Sequence, residues 1–139
     1  MEKLIFDAGI KEYELGNGIL RFNPTDPNVY ARFLDAIPEI QSIGEKVQNE
    51  NPENPEDMLK VLEKFDRDVK DELNNVFGGD NDFHQMLSGV ILLAIASNGK
   101  NVAENLINAL MPILKDGVQQ YAANEVKAAK DARDERKGV

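Results

Sequence analysis

A chain of 139 residues with 42% apolar residues is long enough to bury a core as a single domain, and its lack of Cys excludes disulfide scaffolds, zinc fingers, thiol catalysis and iron–sulfur ligation. A net charge of −9 argues against sequence-independent nucleic-acid binding, which draws its affinity from Lys and Arg displacing counterions from phosphates, and points to protein partners instead. The first residues, Met1 to Asp7, lack the basic start and long apolar stretch of a signal peptide, and the longest apolar run, Val90 to Ala96, is too short to span a bilayer, so a soluble intracellular protein is expected.

The N-terminal quarter alternates apolar and polar residues over short runs. Glu12-Tyr13-Glu14-Leu15 and Ile19-Leu20-Arg21-Phe22 flank Gly16-Asn17-Gly18, the pattern of a β-hairpin, and Leu4 to Asp7 is a candidate third strand. A sheet this small is not stable alone, so Tyr13, Leu15, Leu20 and Phe22 are expected to lie on helices.

Asp26 followed by Pro27 reads as an N-cap with proline at the first helical position. Val29, Tyr30, Phe33, Leu34, Ile37, Ile40, Ile43 and Val47 then recur three and four apart, predicting one helix to about Gln48 with a kink or short break near Ala36 and Ile37 caused by Pro38. The polar stretch Asn49 to Glu56 reads as a loop. Asn54 and Pro55 open a second helix whose stripe is Met58, Leu62, Phe65, Val69, Leu73 and Val76. The charged residues from Glu63 to Glu72, with Asp66 and Lys70 one turn apart, are expected on its solvated face.

Gly78 suits the end of that helix, and Asp80 or Asp82 suits the cap of the next element. Val90 to Ala96 is apolar on every side, which fits a buried helix, a buried strand or a surface covered by another chain; its Leu and Ala content favours a helix over Phe83 to Ala96. Because so apolar a segment must be covered by something, Val90, Ile91, Leu92, Leu93 and Ile95 are the candidate partner-binding residues. A last helix from about Asn101 carries Val102, Leu106, Leu110, Ile113 and Leu114 inward, with Pro112 and Gly117 as candidate bends. The expected fold class is therefore α+β and mostly α. A small N-terminal antiparallel sheet packs on four or five helices, with one domain over residues 1–120 and a solvated helical tail over 121–139.

Catalytic signals are sparse. His84 is the single histidine, no Ser or Cys sits in a nucleophile context, and any metal site would need carboxylates alone. Asp80-Asn81-Asp82 resembles the opening of a calcium loop, but the sixth and twelfth positions hold Gln85 and Ile91 where Gly and Glu are required. Carboxylate pairs such as Asp68 with Glu72 are expected by chance among 25 acidic residues. A hydrolase or metal enzyme built on Asp80, Asp82 and His84 is the least favoured reading, and no cofactor is expected.

Four stretches together are similar to the tail assembly chaperones encoded in prophages of Gram-positive bacteria: Lys11 to Leu15, Asn28-Val29-Tyr30-Ala31-Arg32-Phe33, Asp71-Glu72-Leu73-Asn74-Asn75-Val76-Phe77-Gly78 and Asn105-Leu106-Ile107-Asn108-Ala109-Leu110-Met111-Pro112. The resemblance spans residues 3 to 120 and departs from the family pattern at the Asp82 to Phe83 junction and in the apolar run Val90 to Ala96. It implies a non-enzymatic protein of the bacterial host cytoplasm that coats the phage tape measure protein, keeps it soluble and helps recruit tail-tube subunits. Further copies of the chain are additional partners, and a frameshifted extension would begin within Arg133 to Val139. The alternative is a structural connector or tail-completion protein retained in the virion.

Overall fold

The computed structural model describes residues 1–50 and 52–137. Strands β1 (Lys11–Leu15) and β2 (Gly18–Phe22) precede the helices α1 (Pro27–Asn49), α2 (Pro55–Phe77), the single-turn α3 (Phe83–Met86) and α4 (Val102–Lys137). The described chain is thus α+β and mostly α, a two-stranded antiparallel sheet packed on helices.

The hairpin register sets Lys11 opposite Phe22, Tyr13 opposite Leu20 and Leu15 opposite Gly18. Its turn needs a positive φ at the first of two linking residues, and Gly16 supplies +57°. Any side chain there would also strike the Met86 carbonyl, which accepts a hydrogen bond of 2.8 Å from the Asn17 N–H and so seats the turn on α3. Leu20 and Phe22 are buried, and Tyr13 and Leu15 are half-buried beside them. Ring contacts run inward from Tyr13 to Phe22 at 5.2 Å, on to Phe77 at 4.9 Å and then to Phe83 at 5.6 Å, which ties the sheet to α2 and α3.

The candidate third strand does not form. Residues 1–10 carry no strand and are exposed throughout. A local turn takes its place: the Gly9 N–H donates to Asp7 Oδ1 at 2.8 Å and Gly9 has a φ of +70°.

Asp26 caps α1 by accepting from the Asn28 N–H at 2.9 Å, ahead of Pro27. The helix runs unbroken through Pro38, so the break expected near Ala36 and Ile37 is absent. Pro38 sits on the exposed face, where a carbonyl released from the helix ladder turns to water at little cost. Asn54 caps α2 from 2.8 Å, and Gly78 ends it with its N–H on the Asn74 carbonyl at 2.8 Å. Val29, Phe33, Ala36, Ile40 and Ile43 of α1 meet Phe65, Val69, Leu73 and Val76 of α2 in the core.

Asn101 caps α4 by accepting from the Glu104 N–H at 2.7 Å. Ala103, Leu110 and Leu114 are buried, and at Gly117 the helix backbone lies directly on the Pro24 carbonyl. The helix runs through both candidate bends, and from Gln119 to Arg133 every residue is exposed. Within the tail expected over 121–139, residues 138 and 139 lie outside the described residues, as does Asn51 of the polar loop. No helix among the described residues is long and apolar enough to cross a membrane.

Two further expectations are corrected. The helix predicted over Phe83 to Ala96 is helical only in α3, and Val90 to Ala96 is an irregular segment of turns. Its backbone groups are claimed from two sides. The Lys70 ammonium donates to the carbonyls of Leu87 at 3.1 Å and Val90 at 2.9 Å, and Asp66 accepts from the Leu92 N–H at 2.6 Å. The first N–H groups of α4 complete the arrangement, with Val102 donating to the Ala94 carbonyl at 2.9 Å and Ala103 to the Leu92 carbonyl at 2.7 Å. Asp66 and Lys70 are therefore buried rather than part of the solvated face between Glu63 and Glu72.

Candidate interaction surface

The five candidate partner-binding residues divide sharply in the fold. Leu92 and Leu93 are buried in the core, Val90 and Ile91 are half-buried against it, and Ile95 stands 71% exposed beside its bridge to Asn101. What covers most of this run is the chain's own α2 and α4, fastened through the Asp66 and Lys70 bonds.

The polar candidates lie on the surface. His84 Nε2 is 2.7 Å from Asp71 Oδ1, with both side chains more than a third exposed. Asp82 caps α3 by accepting from the His84 N–H at 3.0 Å, and Asp80 is exposed in the turn before it. Among the described residues no group of three His, Cys, Asp or Glu side chains is placed to hold a metal ion.

A groove of about 540 Å³ lies between α1 and α4. Its lining is mixed: Ile37, Ile40, Ile107 and Met111 supply the apolar part, and Gln41, Glu45, Gln48, Asn101, Glu104 and Asn108 the polar part. Gly44 is part of the lining and has space in front of it, since a Cβ there would meet only Asn101 Nδ2, at 3.9 Å. Sequence reasoning missed this groove. Its one local signal is the row Gln41, Gly44, Glu45, Gln48 beside the α1 stripe, which looks like an ordinary polar face until α4 is set against it.

Two further surfaces lie outside the core. Gln119 to Arg133 of α4 projects past the last core contact and carries exposed Tyr121 and Val126. At the other end, Leu4, Ile5 and Phe6 are 85%, 90% and 76% exposed. Scattered exposed apolar residues need no explanation, but three large ones in succession on a segment that packs on nothing do.

Compared with known proteins, the chain matches no protein-family model, no curated protein and no solved structure.

Proposed function

We propose that this chain is a non-enzymatic tail assembly chaperone that binds the tape measure protein and keeps it soluble during tail morphogenesis in the bacterial host cytoplasm. The observation that supports this reading best is the groove between α1 and α4, where apolar Ile37, Ile40, Ile107 and Met111 lie among polar residues that include Glu45 and Glu104. Such a groove suits one turn after another of an amphipathic helix, anchored by apolar residues three and four apart and flanked by Lys or Arg. The resemblance implies a tape measure protein that is long, helical and prone to aggregate, which is the kind of partner such a groove would hold. The net charge of −9 also favours a coating role, because coated complexes repel one another.

Co-expression with a phage tape measure protein tests the reading. The expected result is a higher soluble yield of the long protein and a complex on size exclusion, both lost in Ile107→Lys while its circular dichroism stays helical. No complex and no gain in soluble yield would overturn the proposal. Mass spectrometry of purified virions separates the remaining class: a chaperone is absent from the particle, and a connector or completion protein is present.

A further inference from the structure

The sheet has two outer edges, and they are treated differently. On β2, the Asn81 side chain acts as a substitute strand: its Oδ1 accepts from the Arg21 N–H at 2.9 Å and its Nδ2 donates to the Arg21 carbonyl at 2.7 Å. Those bonds show that Arg21 turns its backbone groups away from β1. Its partner across the ladder, Glu12, therefore turns its own groups to the opposite side, as does Glu14 two residues on. Among the described residues nothing bonds to the backbone of Glu12 or Glu14 on that side. An open edge of this kind is a template for another strand.

A strand-forming segment lies three residues before β1. Lys3-Leu4-Ile5-Phe6-Asp7 is rich in β-formers and exposed, and it is turned off its own β1 by the Asp7 to Gly9 hydrogen bond. Donor and acceptor are on one molecule but do not meet within it.

We infer that Lys3 to Asp7 of one copy adds as an antiparallel strand to the β1 edge of a second copy, and that the exchange is reciprocal. The register follows from the side chains. Glu12 and Glu14 point to the solvent face, while Tyr13 and Leu15 point to the half-covered inner face. Leu4 and Phe6 must share the inner face, which leaves Lys3, Ile5 and Asp7 on the outer one, since a slip by one residue would move both large apolar groups to water. Charge then selects among the remaining registers. Lys3 opposite Glu14, with Leu4 opposite Tyr13 and Ile5 opposite Glu12, pairs opposite charges, whereas the register two residues further along sets Asp7 against Glu12. Glu14 has no ion-pair partner among the described residues, while Glu12 already has Arg21 at 3.1 Å. Because the donor segment is tied closely to the acceptor strand, two copies can satisfy each other's β1 edge around one two-fold axis, which closes the assembly as a pair.

The chain has no Cys, so an engineered thiol is unique. Protein carrying only Lys3→Cys is mixed with protein carrying only Glu14→Cys and oxidised. A disulfide-linked pair is expected to form in the mixture and not in either protein alone, together with a two-chain mass for the unmodified protein by light scattering. A one-chain mass is expected for Lys3→Glu and for Glu14→Lys, with the two-chain mass restored when both reversals are in one chain. A mixture that links no better than Lys3→Cys with a Leu59→Cys control on α2, or a one-chain mass for the unmodified protein, would overturn the exchange. Capture of a different protein by the Lys3 to Asp7 segment, without pairing of copies, also counts against it.

Discussion

The Asp66 carboxylate and the Lys70 ammonium meet at 2.7 Å inside the protein, with side chains only 9% and 7% exposed. Two charges taken out of water need their remaining valences filled, and both are: Asp66 takes the Leu92 N–H, and Lys70 takes the carbonyls of Leu87 and Val90. The pair is thus a latch that holds an irregular apolar segment against α2.

Removing one half of the latch leaves the other charge buried alone. Lys70→Met should destabilise the protein by about 3–5 kcal/mol, whereas Asp66→Leu combined with Lys70→Met should cost clearly less than the two single changes added together. Urea denaturation of the four proteins measures this, and strictly additive costs would show that the charges do not act as a pair.

Two glycines within helices should respond with opposite sign. A Cβ at Gly117 collides with the Pro24 carbonyl, so Gly117→Ala should cost about 1–3 kcal/mol despite the better helix propensity of alanine. At Gly44 there is room, and Gly44→Ala should stabilise by about 0.5–1 kcal/mol. Thermal denaturation should show melting points moving in opposite directions.

Asn81→Ala removes the substitute strand from β2 and also a bond of 3.0 Å to the Gly78 carbonyl. A cost of about 1–3 kcal/mol is expected. Hydrogen exchange should speed up at the Arg21 amide by more than at Leu20, whose partner lies across the hairpin in β1.

Leu92 and Ile95 belong to one apolar run but should behave as different kinds of residue. Leu92→Ala should cost about 2–5 kcal/mol, since its side chain is wholly buried, and Ile95→Ala should change stability by no more than about 0.5 kcal/mol. Any effect of Ile95→Ala on partner binding, measured by co-purification, is then a surface effect rather than a folding one.

The elements that were legible in the sequence are those governed by neighbours along the chain. Asp26 with Pro27 and Asn54 with Pro55 announced α1 and α2, and the alternation around Gly16 announced the hairpin and its buried face. The α1 and α2 stripes likewise read correctly, because an apolar face repeating every three and four residues has to be covered. Where local pattern misled, the cause was a partner from elsewhere in the chain. Asp66 and Lys70 directly follow the stripe residues Phe65 and Val69, and nothing local says that residues 87–92 will cover that edge of α2. Val90 to Ala96 has helix-forming composition, yet its amides and carbonyls are bound by α2 side chains and the first turn of α4. The groove between α1 and α4 was hidden for the same reason, being a property of two helices together.

Composition and periodicity alone were enough to establish an acidic α+β chain, its helix starts and the inward face of its hairpin, because capping and amphipathic burial depend on residues within a turn or two of each other. Which charges are buried, how the apolar run is held, and which edge of the sheet stays open were decided only when distant segments came together. Backbone hydrogen bonds must be satisfied somewhere, and the chain's own order does not say by whom.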